Sequence, residues 1–374
     1  MAKRIMVALG TRPECIKLAP VVAAMRARPR DFETIVCSSG QQREMLDQTL
    51  AALELGVDRD LNVMRPDQSL ADLTAALVTG FSSAISDLSP DWILVQGDTT
   101  TAFAAALSAY YQRIPIGHVE AGLRSNDRFN PFPEEINRRF ISSVADLHFA
   151  PTAAAANALR SEGMRGDTIH VTGNTAVDAL LALQSRLDTP DGRRHISKAI
   201  RDLADSSAFV LVTCHRRENF GEHLGAILRA VRRIALGHRT YRVIFPVHFN
   251  PHVRASTAPI LGDIPNIHLL DPVSYPDSIY LLSRASLVLT DSGGLQEEAP
   301  SFGVPVLVLR LKTERPEAIE AGLAELVGVD EDRIVARAAD LLARPTGTAR
   351  RSISNPFGDG RAAERIAEVL AKVR

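Results

Sequence analysis

Short apolar runs alternate with longer mixed runs along this chain. Ile5 to Leu9 is an unbroken apolar run that stops at Gly10, and Pro13, favoured in a first helical turn, predicts a helix start beside it. Glu33 to Ser38 reads as a second strand, and Gly40-Gln41-Gln42 opens a helix over 43–52. Leu70, Leu73, Leu77, Phe81, Ile85 and Leu88 recur at helical spacing and predict an amphipathic helix. Trp92 to Gln96 is a strand, followed by a polar loop and an Ala-rich helix from Ala102 to Tyr111. Pro115 to Val119 is the next strand, and Glu134 and Glu135 open the helix after it. A strand at 147–150, an Ala-rich helix at 152–163 and a strand at 169–172 continue the series. Strands alternating with helices mean βαβ units and a parallel sheet.

The pattern breaks between 173 and 207. Gly173-Asn174-Thr175 caps a helix, and the polar run Asp188-Thr189-Pro190-Asp191-Gly192-Arg193-Arg194 interrupts the alternation. A second series follows, with strands near 208–213, 241–247, 267–270, 286–290 and 305–309 and a short one at 324–327. At 374 residues the chain exceeds one ordinary core and suits two domains. The expected fold class is α/β, with two Rossmann-like domains facing each other across a cleft. Residues 1–172 would form the first and 173–360 the second. The helical spacing of Ile366, Val369 and Leu370 predicts a C-terminal helix over 361–374 that packs back on the first domain.

Composition narrows the function classes. A net charge of −1 and only 5% aromatic residues give no basis for capture of nucleic acid. Cys15, Cys37 and Cys214 form no CxxC pair, which predicts a reducing setting without a disulfide scaffold or zinc site. The apolar run in MAKRIMVALGTRPE is too short for a signal peptide, and no run approaches a membrane span. A soluble cytoplasmic protein is expected.

In an open parallel sheet, the loops after the carboxyl ends of the strands line the ligand crevice. Asp98 and Glu120 lie on such loops and Glu134 opens the next helix, so three carboxylates converge, as acid–base chemistry needs. Taken singly, Asp98 is equally explained as a helix N-cap and Glu134 as charge favouring the helix dipole. Gly-Thr-Arg-Pro-Glu, a strand-to-helix turn, places Arg12 and Lys17 near the crevice; as single residues both also read as solvated charges. The turn is neither GxGxxG nor a Walker loop, so no dinucleotide or P-loop fingerprint is present.

Asp291-Ser292-Gly293-Gly294-Leu295-Gln296-Glu297-Glu298 follows a buried strand and opens a helix, where free N–H groups and missing Cβ atoms suit a diphosphate. Glu298, one turn in, suits two ribose hydroxyls. Pro300 keeps this helix short or kinked. His215 beside Arg216 and Arg217 suits neutralising a departing phosphate. A Cys214–His215 dyad is rejected, because neighbouring strand residues point to opposite faces. His248 and His252 lack a third ligand, so no metal is expected.

The segments GTRPECIKLAP, GQQREMLDQTL, VQGDTTTAFAAALSAYYQRIPIGHVEAGLR, FPEEINRRF, VTGNTAVDALL, HRRENFG, PVHFNPHV, LTDSGGLQEEAPSFGVPVLVLR and TERPEA occur in this order. Together they resemble the non-hydrolysing UDP-N-acetylglucosamine 2-epimerases, from about residue 3 to residue 370. The resemblance implies a glycosyltransferase-B-like fold and a homodimer. It also implies interconversion of UDP-N-acetylglucosamine and UDP-N-acetylmannosamine for surface polysaccharides, by elimination of UDP to 2-acetamidoglucal and readdition, without a cofactor. Asp98, Glu120 and Glu134 match the family's catalytic carboxylates, and Lys17 and His215 match polar groups at the reacting centre. Arg12, Ser292, Gly293, Glu298 and Arg315 match nucleotide-binding positions. Gln41, Gln42, Glu135, Arg216 and His248 match the site of a second, activating UDP-N-acetylglucosamine.

This chain departs from the family pattern in places. Gln42 stands where the family usually has His, Asp67 where many members have Arg, and Cys214 in place of a small or hydroxylated residue. The rival readings are a hydrolysing epimerase, a relative acting on a diacetamido-uronic acid sugar nucleotide, a glycosyltransferase on the same fold, and a non-catalytic sugar-nucleotide sensor. The carboxylate cluster speaks against the last two.

Overall fold

The computed structural model describes residues 2–313, 315–344 and 354–373. Met1, Glu314, the stretch 345–353 and Arg374, which fall inside the expected segments, lie outside them. The chain divides into two compact units. One runs to Leu181 and resumes at Phe357; the other runs from Ala182 to Pro356.

The first unit opens with β1 (Lys3–Leu9), α1 (Arg12–Arg26), β2 (Phe32–Ser38), α2 (Arg43–Ala52) and β3 (Arg59–Asp60). Then come α3 (Leu70–Leu88), β4 (Trp92–Gln96), α4 (Thr100–Tyr111) and β5 (Ile116–Val119). The series ends with α5 (Glu134–Val144), β6 (Leu147–Ala150), α6 (Ala153–Ser161), β7 (Ile169–Val171) and α7 (Thr175–Leu187). The seven strands pair in the order β3-β2-β1-β4-β5-β6-β7, all parallel.

Both faces of this sheet are covered, which is why its inner strands β1 and β4 carry buried apolar runs instead of an alternating pattern. Ile5, Val7, Leu9, Trp92 and Leu94 enter one core, while Met6, Ala8, Ile93 and Val95 enter the other, with Leu77, Phe81 and the alanines of α4. The two-residue β3 escapes the hydrophobic pattern because it is a charged edge strand, and charge there discourages further pairing. Leu70, although in phase with the stripe of α3, is exposed.

The second unit begins with α8 (Lys198–Ser206), β8 (Phe209–Thr213), α9 (Glu222–Gly237), β9 (Arg242–Pro246) and α10 (Pro251–Leu261). It continues through β10 (Ile267–Leu270), α11 (Tyr275–Arg284), β11 (Leu287–Thr290) and α12 (Gly293–Glu298). It closes with β12 (Val306–Val308), α13 (Pro316–Glu320), β13 (Ala324–Leu326) and α14 (Glu331–Leu342). Its six parallel strands run β10-β9-β8-β11-β12-β13.

The last helix, α15 (Ala362–Lys372), belongs to the first unit. Ile366 and Leu370 pack with Leu18, Val21 and Val22 of α1. Buried Asp178 accepts the Ala363 amide at 2.8 Å, and Asn174 N donates to Phe357 O at 2.7 Å. These bonds place the start of α7 in the first unit, so the division falls at residue 181, within the helix, and not at 172. Among the described residues no helix is long and apolar enough to cross a membrane.

Gly122 shows how tightly the loop after β5 is packed. Its φ is +94°, and a methyl there would lie 2.2 Å from the Ala155 carbonyl oxygen of α6. Gly122→Ala is therefore expected to destabilise the first unit by about 2–4 kcal/mol, through backbone strain and overpacking. Urea denaturation checks this; an unchanged midpoint would mean that α6 can move aside.

Candidate active site

In the first unit the polar residues gather on neighbouring loops at the carboxyl ends of β1, β4 and β5. Thr11 caps α1 in a capping box with Glu14, which sets Arg12 as the first helical residue and carries Lys17 one turn further. The Lys17 ammonium pairs with Glu120 Oε1, and both side chains are largely buried. Gln96 donates its amide to Glu120 Oε2, and Asn174 Nδ2 approaches Oε1 at 3.4 Å. Glu120 itself has φ +64°, a left-handed conformation that a non-glycine residue adopts at a cost. Its carboxylate lies beside Gly97: a Cβ there would be 3.5 Å from Glu120 Oε2.

Asp98 does not cap α4; Thr99 does, accepting from Ala102 N at 3.0 Å. That frees the Asp98 carboxylate to pair with Arg138, whose Nε lies 2.9 Å from Oδ2, while Asn137 Nδ2 holds the Asp98 carbonyl at 2.9 Å. Glu134 is the first residue of α5, and its buried Oε2 has no hydrogen-bond partner among the described residues. Glu135, expected among the activator contacts, is 1% exposed. It accepts from Ser125 N at 2.9 Å, Asn126 N at 3.3 Å, Arg138 Nη1 at 3.3 Å and Arg139 Nε at 2.9 Å. Burial raises its pKa, but the Ser125 amide and the two arginines outweigh this and hold the carboxyl below its usual range. Both oxygens are engaged by these protein donors, which anchor the 125–126 loop. Gln41 accepts from Thr101 Oγ1 at 2.7 Å, and Gln42 Oε1 accepts from Arg12 N at 3.1 Å.

The second unit builds its polar group around Asp291, which is fully buried. Asp291 accepts from the backbone of His215 at 3.0 Å and Arg216 at 2.9 Å, from Asn219 Nδ2 at 3.0 Å and from the Cys214 thiol at 3.2 Å. Burial, with Asp291 beside it, pushes that thiol well above its usual range, so Cys214 is a protonated donor to a carboxylate and not half of a dyad. His215 Nδ1 lies 3.4 Å from Asp291 Oδ1, and its ring stacks on His248 at 5.5 Å between centroids. Burial lowers the His215 pKa, opposed by Asp291 and assisted by Arg216 and His248. His248 Nδ1 accepts from Asn250 N at 3.1 Å, so neutral His248 presents an Nε2–H donor.

Ser292 and Gly293 stand at the start of α12, where Arg216 and Arg315 meet. A Cβ on Gly293 would lie 3.5 Å from Arg315 Cζ and 3.7 Å from Arg216 Nη2. Because α12 has only six residues, its dipole is weak, and the arginines supply most of the positive field for an anion. Arg315 is aimed by Glu297, which accepts its Nε at 2.7 Å. Glu298 ends the same helix, half-buried. Among the described residues, no group of three His, Cys, Asp or Glu could hold a metal ion.

Reasoning from the chain missed Gln96, Arg138, Glu14 and the hub role of Asp291. Gln96 and Arg138 act across elements and leave no local signal; Glu14 and Asp291 were visible only as parts of their turns.

Two all-parallel Rossmann-like units, one carrying carboxylates at its strand ends and the other two arginines at the start of α12, define an α/β protein of the glycosyltransferase-B-like class. Residues 23–371 match the family model described as UDP-N-acetylglucosamine 2-epimerase. The chain is 44% identical to UDP-N-acetylglucosamine 2-epimerase of Escherichia coli K12, covering 99% of both. A crystal structure of the Neisseria meningitidis enzyme bound to UDP-GlcNAc is similar at a TM-score of 0.93 and 42% identity, over 99% of this chain and 100% of that one. The Methanocaldococcus jannaschii enzyme, crystallised with UDP-GlcNAc and UDP, is 32% identical at a TM-score of 0.83, over 100% of both chains. The chain belongs to the UDP-N-acetylglucosamine 2-epimerase family.

Glu14 gives this site a measurable signature. It is fully buried, and burial outweighs the donors around it, raising its pKa from 4.5 to about 7. A raised carboxyl pKa stabilises the fold most below the unfolded value and loses that contribution as pH rises through the folded one. Between pH 5 and 8 the protein should therefore lose roughly 2.5 kcal/mol relative to Glu14→Gln, which cannot titrate. Urea unfolding of both proteins at the two pH values checks this, and parallel pH curves would contradict it.

Proposed function

We propose that this protein reversibly epimerises UDP-N-acetylglucosamine to UDP-N-acetylmannosamine at C2 and keeps the nucleotide. The observation that carries the reading is the pair of carboxylates, Asp98 and Glu120, on adjacent loops, each held by its own cation, Arg138 and Lys17. C2–H is weakly acidic with no neighbouring carbonyl, so its removal must be coupled to departure of UDP. One carboxylate takes the C2 proton, the C2–H electrons form the C1=C2 bond of 2-acetamidoglucal, and the C1–O bond breaks toward the β-phosphate. His215, with Arg216, steadies the charge on the departing diphosphate. Readdition of UDP at C1, with a proton delivered to the opposite face of C2, inverts that carbon. Two faces need two proton carriers, which favours Asp98 and Glu120 or Glu134 in complementary roles. Arg12, Arg315, Ser292, Gly293 and Glu298 bind the nucleotide. The product class serves surface polysaccharide precursors made in the cytoplasm.

Proton NMR of the enzyme with UDP-N-acetylglucosamine in D2O tests this. UDP-N-acetylmannosamine should appear with deuterium at C2. Stoichiometric free UDP and free N-acetylmannosamine would overturn nucleotide retention and establish the hydrolysing reaction.

UDP-N-acetylglucosamine also acts as an activator in this reading; the residues matching its contacts are Gln41, Gln42 and Glu135 in the first unit and Arg216 and His248 in the second. The M. jannaschii relative was crystallised with both UDP-GlcNAc and UDP. A ligand that prefers one conformation shifts the population toward it. Progress curves from pure UDP-N-acetylmannosamine should then show a lag that a trace of UDP-N-acetylglucosamine removes. Linear curves, unaffected by the additive, would remove the activator from the mechanism.

A further inference from the structure

We propose that Glu14 is a positioning residue for proton transfer: from the first turn of α1 it holds the 97–99 loop through Thr99, while Lys17 of the same helix holds Glu120. This rests on the reading above, in which Asp98 and Glu120 carry the proton.

A capping box needs only one carboxylate oxygen and is ordinarily satisfied at the surface. Here Oε2 alone serves the box, accepting from Gly10 N at 2.9 Å, Thr11 N at 2.8 Å and Thr11 Oγ1 at 2.8 Å. The second oxygen, Oε1, reaches the hydroxyl of Thr99 at 2.6 Å, beyond the end of a different strand. Thr99 Oγ1 already accepts from Ala102 N, so its proton goes to Glu14. One hydroxyl thus caps α4 and ties it to α1.

The rest of that loop is held from other elements. His118 Nε2 bonds the Gly97 carbonyl at 2.7 Å, and Asn137 and Arg138 hold the carbonyl and carboxylate of Asp98. Glu14 supplies the contact from α1, the helix whose Lys17 pairs with Glu120. Any shift of this turn therefore changes the spacing of the two carboxylates. A fully buried carboxyl kept beside a reacting loop, with no cation paired to it in the capping box, is costly for capping alone.

In Glu14→Gln the amide oxygen can still take the three donors of the capping box, but the NH2 then faces Thr99, which loses its acceptor. Thr99→Val removes the hydroxyl and Thr99→Ser restores it. Misplacement of a reacting group on this scale should lower kcat by about tenfold to a hundredfold in Glu14→Gln and Thr99→Val. The double variant should be no worse than either single one, and Thr99→Ser should stay near wild type. UDP affinity by calorimetry should not change, and the primary isotope effect with C2-deuterated substrate should grow. A folded Thr99→Val with normal kcat, multiplicative losses in the double variant, or a parallel loss of UDP affinity would overturn the proposal. If Glu14→Gln does not fold, the contrast between Thr99→Val and Thr99→Ser decides. Asp98→Asn and Glu120→Gln are the reference: normal turnover in these would sink the proton-transfer reading itself. Loss in them, with full activity in Glu14→Gln and Thr99→Val, would sink only the positioning role.

Discussion

Taking a lysine and a carboxylate out of water costs several kcal/mol per ion, and their attraction offsets this only when the remaining lone pairs and protons are also met. Lys17 and Glu120 satisfy that condition: Gln96 covers the second carboxylate oxygen and Asn174 approaches the first. The arrangement needs Glu120 in a left-handed backbone conformation, normally worth about 1–2 kcal/mol of strain. It also needs Gly97 beside the carboxylate and Gly122 against α6. Much of the first unit serves to place these groups. The buried β1 and β4 fix where α1 and the 97–99 loop begin, and α15 packs on the outer side of α1.

The second unit solves a related problem with a different charge. Asp291 is fully buried, and its neighbours Cys214, His215, Arg216 and Asn219 all donate to it. One carboxylate thereby folds the 214–219 turn and directs Arg216 toward Gly293, where Arg315 meets it. Glu297 restrains Arg315 in the same way. The positive groups that suit a diphosphate are thus preorganised by buried negative ones, and binding an anion need not order flexible arginines first.

Membership of the epimerase family and this geometry meet at the carboxylates. There Asp98 and Glu120 are held by Arg138, Lys17 and the Gln96 amide. Under the proposed reaction, the groups that take and return a proton must above all stay in place. Charge-assisted bonds from Lys17 and Arg138 serve that end.

Much was legible in the chain itself. Unbroken apolar runs separated by helical periods determined two parallel α/β units, because strands covered on both faces must be apolar at every position. Turn residues such as Gly10-Thr11 and Ser292-Gly293 marked where the polar loops lie, and the motif order pointed to the family. Tertiary structure alone decided which loop residue does what. Thr99, not Asp98, caps α4; Glu135 is a buried anchor; the division falls inside α7; and β3 exists only as an edge. Gln96, Arg138 and Glu14 entered the site from separate elements, 24, 40 and 85 residues from the partners they hold. Hydrophobic periodicity is local and survives in sequence, whereas hydrogen-bond partnership across a sheet is set by packing, which no short stretch of chain records.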